Sequence, residues 1–305
     1  MEEEGSLKIG TWYAAGAFAL WGLSPIYWKW IDQVPALQLF GHRILWSGIL
    51  LCGAVLLSSQ WQAFRAAVRR PGALPMYVIS ASLIGINWFL YVWGVTAGYI
   101  VETSLGYFIN PIVSVLIGVV FLGERLRRLQ WAAVGLFIAG VGYLTWAHGS
   151  LPWISLTLAV SFGFYGLVKK KAPLGSLFGL TLETGILMLP AGLYLGYVEK
   201  SGQGAFLHLG PASDLLLFGA GVVTMVPLLM FTLAARRIPL SLVGILQYIA
   251  PTLQFLLGVL VYGELFTRVQ LVGFTVIWTA LAIFGLEGFW FTGRILLRKD
   301  PSRRG

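Results

Sequence analysis

One stretch of the chain occurs twice, and this duplication constrains the fold more than any other feature. Residues 102–130 read ETSLGYFINPIVSVLIGVVFLGERLRRLQ, and residues 242–270 read LVGILQYIAPTLQFLLGVLVYGELFTRVQ. Both copies are long apolar runs with a proline near the middle and a closing Gly-Glu. Proline kinks a helix and frees the carbonyl four residues earlier, which a membrane helix tolerates because neighbouring helices satisfy that carbonyl. We therefore predict helix kinks at Pro111 and Pro251.

The composition of the chain places these stretches in a membrane. Hydrophobic residues make up 58% of the chain and charged residues only 11%, whereas a soluble domain has roughly 25% charged residues. Most of the surface must therefore meet lipid, which predicts an all-α integral membrane protein. The single cysteine, Cys52, excludes a disulfide framework and a four-cysteine metal site. We expect neither a metal nor a cofactor.

Ten apolar segments are long enough to span a bilayer, which needs about 20 helical residues. The first segment follows three glutamates, residues 2–4, rather than the basic start of a signal peptide, so we keep it as a helix. The segments are 10–28, 37–57, 74–95, 103–122, 130–147, 152–168, 176–197, 215–235, 240–262 and 270–291.

Lysine and arginine residues fall mainly on one side of this ten-helix map. With the N-terminus inside, 17 of the 21 lie in cytoplasmic loops or in the C-terminal tail, among them the run 169–171. This asymmetry is the one expected of an inner-membrane protein with both termini in the cytoplasm. It also accounts for the net charge of +9, so we expect no nucleic-acid partner.

Five predicted helices lie in each half, and five is an odd number. A repeat with an odd number of helices enters the membrane in the opposite orientation the second time, so the halves form an inverted pair. We predict a first repeat at residues 1–150, a second repeat at 151–291 and a basic cytoplasmic tail at 292–305. Inverted repeats are typical of secondary transporters, whose substrate site lies near mid-membrane at the repeat interface. The expected partners are a small-molecule substrate and membrane lipid; the oligomeric state stays open.

Several motifs resemble those of a known family. Both halves end their fourth helix in Gly-Glu, as do the EamA repeats of the drug/metabolite transporter superfamily. Within that superfamily the chain resembles the RarD-type permeases over about residues 10–291, which implies a ten-helix inner-membrane carrier with a central cavity. The motifs are HRILWS at 42–47, NW at 87–88, LGYFINP at 105–111, GERL at 123–126 and SFGFYGL at 161–167.

Two charged residues fall inside the predicted spans. Arg43 lies a short way into the second helix, and Glu183, its counterpart in the other repeat, lies equally deep in the seventh. A charge at the centre of a lone helix costs roughly 2.5–3.5 kcal/mol, so both side chains should face the bundle interior. Because they enter from opposite sides, ~10 Å separates their depths in a ~30 Å core. We expect them to act separately rather than as a salt bridge.

These charged residues each allow two interpretations. Arg43 could anchor an anionic substrate group or a freed carbonyl, or it could clamp helices 1 and 2. For Glu183 we favour proton coupling over packing, since a buried carboxyl group can load and release protons. His42 is the histidine to test for the same role. Glu102, which opens the fourth helix, could bind substrate or cap the helix.

Polar and aromatic side chains near the helix kinks form the predicted substrate lining. Aromatic rings line apolar pockets, and amides orient a ligand. For any single aromatic residue, ordinary packing or an interfacial position is the favoured alternative. The predicted lining comprises Arg43, Asn87, Trp88, Tyr91, Glu102, Tyr107, Asn110, Tyr165, Gln247 and Tyr248. We expect Glu124 and Glu264 instead to cap the helix that follows each of them.

No motif in the sequence predicts an enzyme. The three histidines are scattered, and neither a metal-binding, a nucleophile-elbow nor a Walker-type pattern is present. The sequence predicts a secondary transporter of a small amphipathic metabolite or drug, working by alternating access and driven by a proton or substrate gradient. The alternative is a non-transporting membrane scaffold or regulatory subunit, which would not need Arg43 and Glu183 inside its spans.

Overall fold

The computed structural model describes residues 2–96, 100–148 and 153–261, followed by 268–269, 271–273, 275–280, 282–284 and 287. These residues form helices and connecting turns, without a strand among them. The helices are α1 (Glu2–Lys29), α2 (Ala36–Leu57), α3 (Trp61–Val68), α4 (Ala73–Thr96), α5 (Ile100–Leu122), α6 (Arg128–His148), α7 (Trp153–Lys171), α8 (Ser176–Lys200), α9 (Pro211–Ala235), α10 (Leu240–Leu246) and α11 (Ile249–Leu256).

Five helices in the described part of the chain are long and apolar enough to cross a membrane, so the molecule is an all-helical, multi-pass membrane protein. The five candidate spans are Ala36–Leu57, Ala73–Tyr91, Arg128–Ala147, Ser176–Lys200 and Pro211–Ala235. The first eight predicted segments correspond to α1, α2 and α4–α9. The tenth predicted helix, 270–291, is described only in pieces between residues 271 and 287, and the tail at 292–305 lies outside the described residues, so the count of ten stays a prediction.

The two copies of the proline-containing stretch fold differently. Helix α5 continues through Pro111, whereas the second copy is interrupted at Gln247 and Tyr248, just before Pro251. The carbonyl of Gln247, which Pro251 leaves without its helical donor, accepts a hydrogen bond from the amide of Ala250 at 3.3 Å. The second copy then passes from α11 into a π-helical turn, Leu257–Val261. One pattern has therefore produced a continuous helix and a broken one.

Helices from the first half of the sequence pack mainly on helices from the second half. Helix α2 packs on α8 and α9, α5 packs on α7 and α10, and α1 packs on α9 and α11. The α2–α9 contact is close, because a Cβ added at Gly221 would lie 2.6 Å from the Cβ of Trp46. The interface between the halves is thus the core of the molecule.

Glu124 caps a helix, although not the predicted one. Its Oε1 accepts a hydrogen bond from the amide of Leu240 at 2.7 Å, and its Oε2 accepts one from the amide of Ser241 at 2.9 Å. These amides open α10, in the other half of the chain, whereas we predicted a cap on the following helix, α6. Gly123 takes the expected left-handed conformation, with φ of 67°, and so turns the carboxylate toward α10. Glu264 lies outside the described residues.

Candidate functional site: a central cavity

A cavity of about 140 Å³ lies between helices of both halves. It is lined by residues of α1, α2, α4, α5, α7, α9 and α11, together with the break between α10 and α11. Its described lining contains no acidic residue. Seven of the ten predicted lining residues contribute to it, namely Arg43, Asn87, Trp88, Tyr91, Tyr107, Asn110 and Gln247.

Arg43 supplies the positive charge of the cavity. Its Nε donates a hydrogen bond to the hydroxyl of Thr224 on α9 at 3.0 Å. The centre of its guanidinium group lies 4.7 Å from the ring centroid of Trp88 and 5.3 Å from that of Trp28. Cation–π contacts of this kind partly compensate a desolvated charge. The residue is therefore held by a hydroxyl and two indole rings, and among the described residues it has no carboxylate partner.

The amide side chains of the cavity differ in what they bind. Asn87 donates from Nδ2 to the carbonyl of Leu158 at 2.7 Å and to the hydroxyl of Ser161 at 2.9 Å, which ties α4 to α7. Gln247 accepts from the hydroxyl of Ser114 at 3.3 Å. The Oδ1 atom of Asn110, by contrast, is buried and has no hydrogen-bond partner within the described structure. Asn110 thus carries a buried acceptor that the described residues leave unpaired.

Aromatic rings form most of the apolar wall. The rings of Tyr91 and Tyr107 meet edge to face, with their centroids 5.5 Å apart. The prediction missed the aromatic residues Phe18, Trp21, Trp28 and Phe162, which also line the cavity. A helical spacing could have found part of this set, because the α1 lining residues are 18, 21, 24, 25 and 28, which share one helix face.

Two predicted lining residues lie outside the cavity. Tyr248 is fully buried, stacks on Phe137 with the ring centroids 5.0 Å apart, and donates from its hydroxyl to the carbonyl of Phe108 at 2.9 Å. Tyr165 is also fully buried and binds Glu183. The side chain of Glu102, the third exception, lies outside the described residues.

Glu183 sits in a second polar cluster, which the prediction did not foresee. Its Oε2 accepts from Lys169 Nζ at 2.6 Å and from the hydroxyl of Ser80, and its Oε1 accepts from the hydroxyl of Tyr165 at 3.0 Å. The Lys169 ammonium also lies over the rings of Tyr77 and Tyr165, at 5.5 and 5.3 Å from their centroids. Lys169 is 0% exposed and Glu183 is 2% exposed. Lys169 is therefore a buried residue of α7 and not the cytoplasmic loop residue that we predicted.

Arg43 and Glu183 bind different partners, as expected, but some of the residues around them line one small void. A void of about 10 Å³ between the two clusters is lined by Glu183, Thr184, Ser47, Thr224 and Trp88, among other residues. A site of about 10–15 Å³ holds one water molecule. Thr224 and Trp88 contact Arg43 on their other side. Trp88 thus lines both the cavity and this void, and Thr224 links the void to Arg43.

His42 belongs to neither cluster. It is 6% exposed, its ring lies 5.4 Å from that of Phe206, and its Nδ1 has no hydrogen-bond partner among the described residues. The described residues also contain no group of three or more His, Cys, Asp or Glu side chains that could hold a metal ion.

Sequence comparison relates the chain to membrane transporters. A family model described as the EamA-like transporter family matches residues 8–146, which coincides with the first predicted repeat. The chain is 44% identical over 283 residues to the protein RarD of Streptomyces exfoliatus, covering 93% of this chain and 90% of that one. It is 45% identical to the protein RarD of Escherichia coli (strain K12), covering 93% and 96%, and 47% identical to the uncharacterized transporter YojE of Bacillus subtilis (strain 168), covering 91% and 93%.

The fold is also found among solved structures. A crystal structure of a protein with 19% sequence identity superposes with a TM-score of 0.70 and covers 92% of this chain and 98% of its own. At this identity the likeness concerns the fold alone, while the RarD relatives are similar along nearly the whole length. The chain therefore belongs to the RarD-type permeases of the EamA-like transporter family.

Proposed function

We propose that the protein is a secondary carrier that moves a small amphipathic metabolite or drug across the inner membrane by alternating access. The observation that carries this proposal is the central cavity, which both halves of the chain build and which combines a cation with aromatic walls. A site at the interface of two halves can open to either side when the halves rock against each other. The proposal includes ten membrane helices in two inverted repeats, with both termini in the cytoplasm.

The size of the cavity favours a small substrate. Ligand sites for drug-sized molecules measure roughly 300–1,000 Å³, and this cavity measures about 140 Å³. In this conformation it suits a compact metabolite better than a large drug. Exchange of nucleotide sugars would call for several basic groups around the diphosphate, and Arg43 is the one basic residue in the described lining.

The Glu183 cluster offers a means of coupling transport to protons. In the structure Lys169 neutralises the Glu183 carboxylate, so a proton arriving on Glu183 would remove the attraction between the two groups. The freed ammonium would then lose its main partner, and α7 and α8 would lose a contact between them. Trp88 and Thr224 contact Arg43 and also line the void beside Glu183. Such a rearrangement would therefore change the surroundings of Arg43. We propose Glu183 as the coupling carboxylate on this basis.

The carrier proposal is tested by solute movement in membrane vesicles under imposed pH gradients. We expect at least one compound of a metabolite library to accumulate faster in vesicles with the protein than without it. Glu183→Gln should lower the pH-driven component about tenfold, while Glu199→Gln, a change in an exposed pair with His208, should leave it unchanged.

The scaffold alternative predicts a different outcome. If no compound moves, and cells carrying Glu183→Gln behave as cells with the unaltered protein do, the chain is a scaffold or regulatory subunit rather than a carrier. Gradient-independent movement that Glu183→Gln does not affect would leave the carrier in place and remove proton coupling at this residue.

A further inference from the structure

We infer that the central cavity takes a small carboxylate with a flat apolar body, whose anionic group is bound by Arg43. This inference rests on the proposed carrier function and specifies the chemical class of its substrate. It starts from a charge that has no acidic partner among the described residues. Buried cations in membrane proteins are normally paired with an acidic group or with backbone carbonyls.

The described residues of the cavity carry a positive charge that no acidic residue among them balances. Glu183, the other charged residue predicted inside the spans, is already paired with Lys169 at 2.6 Å. The described lining holds Arg43 and no aspartate or glutamate. Two indole rings and one hydroxyl contact the guanidinium, and none of these groups carries a negative charge. No described residue of the cavity supplies a negative charge beside Arg43, so we assign that charge to the ligand.

The geometry of Arg43 favours a carboxylate as that anion. Its Nε is taken by Thr224, and this is its one hydrogen bond to a described residue. The Nη groups therefore remain as donors without a hydrogen bond to a described residue. A guanidinium presents its N–H groups as a planar fork that matches the two oxygens of a carboxylate. A single cation also balances one negative charge. A carboxylate carries one negative charge, whereas a phosphate ester carries more.

The other residues that line the cavity indicate the shape and polarity of the rest of the ligand. The cavity is bordered by Trp21, Trp28, Trp88 and Phe162, and such rings favour flat apolar groups. Most polar side chains of the wall are occupied by the protein: Ser24 and Gln254 both donate to the carbonyl of Trp21, and Asn87 is bound to α7. The Oδ1 of Asn110 is a buried acceptor without a partner among the described residues. The site thus presents a cationic end, an aromatic slot and one acceptor.

Matched acid and amide probes isolate the charge of the ligand. The probes are benzoate with benzamide, phenylacetate with phenylacetamide, and indole-3-acetate with indole-3-acetamide, measured by calorimetry on the purified full-length protein in nanodiscs. We expect at least one acid to bind about tenfold more tightly than its amide, since a charge-assisted bidentate contact is lost in the amide. Chloride and inorganic phosphate serve as further probes, because either could bind a bare guanidinium.

Variants of Arg43 assign any preference to this residue. Arg43→Gln should bring the acid-to-amide ratio to within about twofold of one, and Arg43→Lys, which keeps the charge but not the fork, should retain part of it. Arg237→Gln, at an exposed arginine near Tyr13, is the matched control and should keep the full ratio. The lysine variant keeps the test informative if the glutamine variant does not fold.

Four results would overturn the inference. They are equal binding of acids and amides, an acid preference that persists in Arg43→Gln, binding of inorganic anions alone, and no binding by any probe. These failures can be told apart from failure of the carrier proposal, because movement of neutral compounds in the vesicle experiment would leave a carrier with a different substrate class.

Discussion

At the scale of single residues, the protein holds its two central charges in opposite ways. Glu183 is surrounded by donors from Lys169, Ser80 and Tyr165. Arg43 has one hydroxyl and two indole rings. The first arrangement satisfies a charge inside the protein, and the second leaves a charge for a ligand. This difference assigns binding to Arg43 and coupling to Glu183 in the proposed mechanism.

The Lys169–Glu183 pair makes a prediction about stability. Removing one partner of a buried ion pair costs about 3–5 kcal/mol, because the other charge is left alone, whereas neutralising both partners costs much less. Lys169→Met should therefore lower the melting temperature of the purified protein markedly, and adding Glu183→Gln should restore most of it. Lys171→Met, at an exposed position two residues along, is the control. Equal melting temperatures for Lys169→Met and Lys171→Met would contradict the assigned pairing.

Most of the residues predicted from the sequence as substrate lining do line the cavity. Seven lining residues, among them Arg43 and Asn110, were expected because intramembrane charges and amides have to face the interior. Lys169 was missed because it begins a run of three lysines, and such runs normally lie in cytoplasmic loops. Tyr165 and Tyr248 were placed wrongly with respect to the cavity, since an aromatic ring fits a helix contact as readily as a ligand pocket.

At the scale of helices, the site depends on close packing between α2 and α9. Arg43 on α2 binds Thr224 on α9, and the hydroxyl of Ser47 donates to the carbonyl of Gly221 at 2.9 Å. The close approach at Gly221 holds these contacts in register. The orientation of Arg43 is therefore a property of this helix pair as well as of the residue.

A methyl group at Gly221 should disrupt the packing of α2 against α9. The added Cβ would lie 2.8 Å from the backbone nitrogen of Ser47, and because backbone cannot move aside cheaply, overpacking should cost about 1–3 kcal/mol. Gly221→Ala should therefore melt at a lower temperature and bind transported compounds more weakly. Gly185→Ala, where nothing lies within 4 Å of the added atom, should melt no lower than the unaltered protein. Unchanged stability in Gly221→Ala would refute the close contact.

The sequence predicted where most helices lie, but it did not predict whether a helix continues through its proline. Long apolar runs located α1, α2 and α4–α9, because a helix must satisfy its own backbone in lipid. The same proline pattern could not distinguish the continuous α5 from the break before α11. That outcome depends on local contacts, such as the hydrogen bond from the amide of Ala250 to the carbonyl of Gln247, and the pattern itself does not encode them.

At the scale of the whole molecule, the two halves share one core and one cavity. The Glu124 carboxylate of the first half caps α10 of the second, and the cavity takes lining residues from both. In the proposed mechanism the halves move against each other around this fixed site, so that a residue in the cavity meets water from each side in turn. A scaffold with the same packing would have no need for such access.

The most direct measurement of this central claim is two-sided access to one cavity residue. In a protein with Cys52→Ala, Ala250→Cys places a thiol in the cavity wall, and a membrane-impermeant thiol reagent is applied to right-side-out and inside-out vesicles. Ala234→Cys, at a fully buried position outside the described lining, serves as the unreactive control. A carrier predicts labelling at residue 250 in both kinds of vesicle. Labelling from one side only, or from neither, would contradict alternating access.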